Sequence, residues 1–182
     1  MPKQVLCLMS GGIDSTVLAQ HYINKGWRVT GIFFKYGQPN YELEYTKVGE
    51  VGRRLNVPIL HQHFRDNLPR DGYFYPMRNA LLLCWSISEA YNLGVPAVAI
   101  GCNTGEYLDQ RPEFIDRFNF MVDYCLQKPI YVLAPFANWS SERVIKYGLK
   151  IGAPLHLTIS CMDVPPCGTC LKCKLRRKYG ID

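Results

Sequence analysis

Five short apolar runs, each followed by a longer stretch with helical spacing, constrain this chain of 182 residues more than any other feature. Gln4 to Met9, Arg28 to Phe34, Val57 to His61, Ala97 to Gly101 and Ile130 to Leu133 read as buried strands. Between them, Val17, Leu18, Tyr22 and Ile23 form one helical stripe. Tyr41, Tyr45, Val48, Val51 and Leu55 form another, and Phe114, Ile115, Phe118, Met121, Val122 and Cys125 a third. Asn79 to Leu93 is apolar nearly all round, which predicts a helix covered by a sheet on one side and by other helices on the other. Gly26, Gly94 and Gly152 follow helical patterns where a left-handed C-terminal residue is wanted. Repeated strand–helix units predict an α/β fold with a doubly wound, mostly parallel five-stranded sheet and ligands at the strands' carboxyl ends. The last strong periodicity ends near Ile151. Residues 1–151 therefore read as one α/β domain, and 152–182 as a loop-rich annex packed on it.

The first of those units turns at "LMSGGIDST", Leu8 to Thr16. A strand, a glycine turn and a helix start point free backbone N–H groups and the positive end of a helix dipole outward. Gly11 and Gly12 let an anion approach the backbone, and Ser10, Ser15 and Thr16 add hydroxyl donors. Asp14 is the odd member, because a carboxylate repels phosphate unless a cation lies between them; magnesium or a helix-capping role explains it. A dinucleotide fingerprint needs a third glycine and a Walker loop needs Gly-Lys, so neither fits.

Half of the eight cysteines crowd into the annex. Cys161, Cys167, Cys170 and Cys173 follow the pattern C-x5-C-x2-C-x2-C, with Gly168 easing the turn. Four converging thiolates suit a closed, structural zinc site. An iron–sulfur cluster is the rival, and a redox CxxC pair a third option. The other four, Cys7, Cys84, Cys102 and Cys125, lie among apolar neighbours and read as buried core thiols. His21, His61, His63 and His156 show no ligand spacing and read as structural.

With 48% hydrophobic residues and a net charge of +6, the composition is that of a globular protein. Lys172, Lys174, Arg176, Arg177 and Lys178 make a basic tail, which points to an anionic partner, nucleotide or RNA, or to a solvated charged end. No run of apolar residues is long enough to span a membrane, and the one near Met1 is too short for a signal peptide, so a cytoplasmic protein is expected.

Ser-Gly-Gly-x-Asp-Ser resembles the pyrophosphate loop of the ATP-pyrophosphatase (PP-loop) superfamily. Together with the four-cysteine knuckle it resembles the QueC family, the 7-cyano-7-deazaguanine synthases. "KYGQ" (Lys35 to Gln38), "RNALLL" (Arg78 to Leu83), "YLDQRPEF" (Tyr107 to Phe114), "APF" (Ala134 to Phe136) and "LTISC" (Leu157 to Cys161) are similar to that family's stretches, in its order. The resemblance implies an adenine nucleotide alpha hydrolase-like Rossmann fold. It implies ATP-dependent conversion of 7-carboxy-7-deazaguanine and ammonia to the nitrile through adenylated intermediates, on the way to queuosine. ATP with magnesium would sit on Met9, Ser10, Gly11, Gly12, Ile13, Asp14, Ser15 and Thr16, and zinc on the four cysteines. Tyr36, Gln38, Arg78, Asn79, Tyr107, Asp109, Arg111 and Glu113 would meet the substrate, with Asp14, Arg78 and Glu113 catalytic. Arg matches a carboxylate with two prongs, and a carboxylate such as Glu113 accepts a guanine-like N–H edge or an ammonia proton.

A homodimer is expected from the resemblance, without membrane or nucleic acid. The chain departs from the family at Met77, where Gly is usual, and in shorter segments before Arg78, after Asn103 and beyond the knuckle. A ligase joining an adenylated deazaguanine acid to another amine, a tRNA-modifying PP-loop enzyme, and a non-catalytic zinc-knuckle RNA-binding module are the other readings.

Overall fold

The computed structural model describes residues 3–72, 74–104 and 107–181. The elements run β1 (Gln4–Leu8), α1 (Ile13–Asn24), β2 (Arg28–Lys35), α2 (Tyr41–Leu55), β3 (Ile59–His63), α3 (Arg78–Leu93), β4 (Ala97–Ala99), α4 (Pro112–Cys125), β5 (Tyr131–Leu133), α5 (Ser141–Lys150) and α6 (Leu171–Lys178). The strands form one sheet in the order β3-β2-β1-β4-β5, every neighbouring pair parallel. The α/β expectation holds, with a helix where each helical pattern was read and left-handed glycines at Gly26, Gly94 and Gly152.

Strand alternation sorts the core into two layers. Val5 and Cys7 of β1, with Met9 just after it, face α1, α2 and α5, where they meet Val17, Leu18, Val48, Val51 and Val144. Leu6 and Leu8 face the other way, onto Leu83 and Ile87 of α3 and Phe118 and Val122 of α4. Phe33 and Ile32 divide in the same manner on β2. A large apolar side chain fully buried in this way contributes about 1.5–3 kcal/mol relative to exposure. The sequence runs outward from β1 to β3, then returns to place β4 on the other side of β1. That reversal opens a crevice at the carboxyl ends of β1 and β4, the usual place for a ligand in such sheets.

Three expectations need correction. β3 begins at Ile59 rather than Val57, because Asn56 and Val57 close α2 and Pro58 has no N–H to pair. Cys84 and Cys125 are exposed, whereas Cys7 and Cys102 are buried as read. The cause is the outer face of α3: Leu81, Trp85, Tyr91 and Leu93 are 42–50% exposed, so among the described residues no second layer of helices covers it. On α4, Phe120 and Tyr124 are also open to solvent, at 76% and 86%.

The annex has no core of its own. Leu155 and Ile181 are buried in the α1/α2/α5 layer, and Leu175 and Tyr179 pack against it. Three of the basic tail's five cations are engaged within the chain, two of them inside the annex and Lys178 across to α5. Arg176 donates to the Thr158 hydroxyl at 2.8 Å and to the Ile181 carbonyl at 2.9 Å, Arg177 to the Gly168 carbonyl at 3.2 Å, and Lys178 to the Glu142 carboxylate at 2.9 Å.

Candidate active site

The turn after β1 is built by two glycines with different tasks. Gly11 has φ +71°, and a Cβ there would lie 3.0 Å from the Glu44 carbonyl, the Lys47 Cβ and the Val48 nitrogen. Gly11 thus lets the loop press against α2. Gly12 is extended (φ −86°) and caps α1 with no side-chain cap bond, which leaves the helix's positive end facing the crevice. Ser10 and Ser15 brace the turn: the Ser10 N–H donates to Ser15 Oγ at 3.2 Å, and Ser15 Oγ–H donates to the Gly12 carbonyl at 3.2 Å. Just beyond β4, Gly101 comes so close that a Cβ would stand 2.9 Å from the Asp14 carbonyl.

Over this turn lies a cavity of ≈ 260 Å³. Met9, Ser10, Gly12, Ile13, Asp14 and Ser15 line its floor, and Tyr36, Gln38, Arg78 and Asn79 one wall. The annex completes the lining with Ile159, Ser160, Cys161, Met162, Lys172 and Leu175. Asp14 is the second residue of α1 and not its cap, which removes the capping explanation. Burial pushes its carboxyl up to about 6, against the pull of Lys172 and a hydrogen bond with Asn103. Arg78 opens α3, its Nε 3.3 Å from Asn79 Oδ1 and its guanidinium 5.9 Å from the centre of the Tyr36 ring.

Several sequence-read residues stand elsewhere. Gly11 lies behind the loop, and Thr16 is fully buried with its hydroxyl unpartnered among the described residues. Asp109 braces α3 from outside, its carboxylate accepting the Asn79 N–H at 3.3 Å and its carbonyl the Asn79 amide at 3.2 Å. Tyr107, Arg111 and Glu113 are exposed and do not line the cavity, although their neighbour Gln110 does. Conversely, Asn40, Glu44, Ser160 and Lys172 line it without having been singled out for the site. Glu44 reads in sequence as an ordinary first-turn acid, and Lys172 as one charge in a run; only tertiary placement distinguishes them.

The four knuckle sulfurs converge, all within 4.8 Å of one another, with Cys161 and Cys173 buried. A tetrahedron of thiolates at the zinc–sulfur bond length has edges of about 3.8 Å. Cys161 and Cys167 stand 3.6 Å apart, in keeping with one shared ion. A cluster would have to fit several iron and sulfide atoms between the thiolates. The Cys167 N–H donates to the Cys161 sulfur at 3.3 Å, and the Cys170 N–H to the Cys167 sulfur at 3.4 Å. Backbone N–H groups of Cys170 and Thr169 hold the Cys167 thiol down to about 6, favouring the thiolate that a metal requires.

An anion-ready turn at the switch point of a parallel sheet, roofed by a four-cysteine knuckle, defines a nucleotide-binding-type α/β domain of the PP-loop kind. The solved NMN synthetase from Francisella tularensis shares the fold, with a TM-score of 0.60 at 16% identity over 88% of this chain and 66% of that one. The chain belongs to the QueC family, whose model, described as queuosine biosynthesis protein QueC, matches residues 4–69 and 59–180. A protein of Methanoculleus marisnigri named 7-cyano-7-deazaguanine synthase is 33% identical, over 97% of this chain and 93% of its own length. One of Leptospira interrogans with the same name is 31% identical, over 97% and 86%. A synthase of Sulfurisphaera tokodaii is 30% identical over 96% of this chain, which spans only 45% of that longer protein. The chain is accordingly an enzyme of the queuosine pathway family, and among the described residues no helix is long and apolar enough to cross a membrane.

Proposed function

We propose that this enzyme converts 7-carboxy-7-deazaguanine and ammonia into 7-cyano-7-deazaguanine as an ATP-dependent carbon–nitrogen ligase of the cytoplasm. One observation carries the reading: the helix-capping turn Ser10–Ser15, Arg78 and Lys172 face a single cavity at the sheet's switch point. The turn accepts the polyphosphate of ATP. Because the turn has no Lys or Arg of its own, the balancing positive charge comes from Arg78 and Lys172. Asp14 is the residue to hold magnesium, which when bound would offset the phosphates' charge. Cys161, Cys167, Cys170 and Cys173 would hold zinc, whose closed coordination fixes the annex wall and leaves no open position for chemistry.

The substrate carboxylate attacks the α-phosphorus of ATP and pyrophosphate leaves. Ammonia adds to the acyl carbon, AMP departs, and an amide remains. The amide oxygen then attacks the α-phosphorus of a second ATP and a second pyrophosphate leaves; loss of AMP and of the nitrogen's protons gives the nitrile. Arg78 can hold the carboxylate or the nucleotide with two parallel bonds. Asn79, Tyr36 and Gln38 shape the wall, Asp109 positions Asn79, and Tyr107, Arg111 and Glu113 remain outside the cavity. The engagement of the tail's cations within the chain supports a small-molecule substrate over RNA.

The test is the mass of the products after incubation with magnesium, ATP, the acid and ammonia. Nitrile with AMP and pyrophosphate is expected. ATP–pyrophosphate exchange dependent on the acid, with no nitrile, would support instead a ligase that passes the acid to another amine. The open apolar face of α3 and α4 favours a homodimer, checked by sedimentation of the wild type against Phe120→Glu.

A further inference from the structure

Gln38, a residue expected to touch substrate, has its amide committed. Its Nε2 donates to the Phe34 carbonyl at 2.8 Å and to Glu44 Oε2 at 3.1 Å, and its Oε1 accepts the Tyr36 N–H at 2.9 Å. What it does is hold Glu44 toward the cavity. Asn40 stands beside it, only 3% exposed, donating through Nδ2 to the Cys161 carbonyl at 3.2 Å. Its Oδ1 is buried and has no partner among the described residues, and neither has the Ser160 hydroxyl on the adjoining wall. A buried acceptor left unpaired is costly, and its natural complement is a ligand bearing N–H groups.

Glu44 thus adds an acceptor to the cavity lining, and Asn40, which lines it too, carries a buried and unpaired one. A triphosphate and a substrate carboxylate are themselves acceptors and anions, so this corner repels both. The ring of a deazaguanine acid carries the opposite pattern on one side, a ring N–H beside an exocyclic amino group. We propose that Glu44 and Asn40 form a specificity subsite that accepts this planar two-donor edge, an inference that rests on the function proposed above. Burial raises the Glu44 carboxyl above its ordinary value, against hydrogen bonds from Gln38 and Asn40 and the charges of Arg78 and Lys172.

The test compares calorimetric binding of 7-carboxy-7-deazaguanine with that of its analogue lacking the exocyclic amino group. Wild type should lose at least about tenfold in affinity for the analogue, the size of one charge-assisted hydrogen bond. Glu44→Gln should bind the parent acid at least about tenfold more weakly and discriminate little between the two, with ATP affinity and the KM for ammonia unchanged. Equal binding of both acids by wild type overturns the subsite without need of any variant. So does a Glu44→Gln protein in which only the KM for ammonia moves, which would make the corner an ammonia site. Wild type that binds ATP but neither acid refutes the proposed substrate itself, and the subsite with it.

Discussion

Ile159 donates its backbone N–H to the Gly11 carbonyl at 2.9 Å, joining the annex directly to the turn after β1. The Gly12 Cα lies close by, since a Cβ on it would be 3.4 Å from the Ile159 carbonyl. The four-cysteine knuckle and the glycine turn therefore form one mechanical unit, with Ser160, Cys161 and Lys172 carried along in the cavity lining.

From that link, loss of the metal should reach the nucleotide. Elemental analysis should give about one zinc per chain, without iron or sulfide. Cys170→Ser should lower the unfolding temperature and weaken ATP binding together, because metal binding and local folding are coupled. A variant that keeps wild-type stability and ATP affinity after losing the metal would separate the annex from the site.

The two glycines of the turn should fail differently. Gly11→Ala forces a left-handed alanine against the α2 backbone and should destabilise the protein by about 2 kcal/mol or more, read by denaturant unfolding. Gly12→Ala meets only Ser10 Oγ at 3.2 Å and the Ile159 carbonyl at 3.4 Å, at an ordinary φ. It should fold, and its added methyl should lower ATP affinity in calorimetry.

The turn, the knuckle and the order of strands and helices were legible because each rests on local spacing: glycines after an apolar run, cysteines in overlapping CxxC steps, apolar residues at period 2 or 3.6. What escaped was tertiary. Lys172 differs from Lys174 in nothing a sequence shows, yet only Lys172 lines the cavity. Glu113 had the attractive motif and is exposed, while Glu44, in an amphipathic helix start, is the glutamate that lines the cavity beside Asp14. Cys84 had apolar neighbours, but on a helix face that this chain leaves open.

Asp14 makes the site pH-sensitive. Its carboxyl titrates near 6 in the fold against 3.8 for the free group. Below about pH 4 it is protonated whether the chain is folded or not, so it costs nothing. As pH rises from about 4 to 6 the unfolded chain releases the proton first and stability falls; above that the penalty is constant, up to about 3 kcal/mol. Asp14→Asn should therefore be more stable than wild type at pH 8, with the gap closing at pH 4, while turnover is lost at every pH. Thermal unfolding across that range checks the sign. A variant less stable than wild type at pH 8 would mean that Asp14 is held ionised by more than Lys172 and Asn103.

Met77, immediately before Arg78, has φ +57° and is 64% exposed. A left-handed backbone costs a side-chain-bearing residue about 1–2 kcal/mol, part of which glycine would return as entropy of the unfolded chain. Met77→Gly should raise stability by about 0.5–1 kcal/mol, or about 2 °C in the unfolding temperature. A fall instead would show that the exposed Met77 side chain makes a contact worth more than the strain.

Lys172 offers the sharpest separation of charge from scaffold. It lies between Cys170 and Cys173 of the four-cysteine knuckle, and its ammonium acts through space on both Asp14 and Glu44. If it neutralises the polyphosphate, Lys172→Met should weaken ATP binding about tenfold or more while leaving zinc content and unfolding temperature unchanged. Lys172→Arg keeps the charge and should recover most of that affinity, since a point charge and not a particular hydrogen-bond geometry is required. Raising the salt concentration should narrow the gap between wild type and Lys172→Met, because the term is electrostatic and the cavity mouth is open to ions. Calorimetric ATP affinities for the three proteins at two ionic strengths decide the matter. Wild-type affinity in Lys172→Met would assign the neutralising role to Arg78 alone and leave Lys172 as a residue that merely tempers the two half-buried carboxylates.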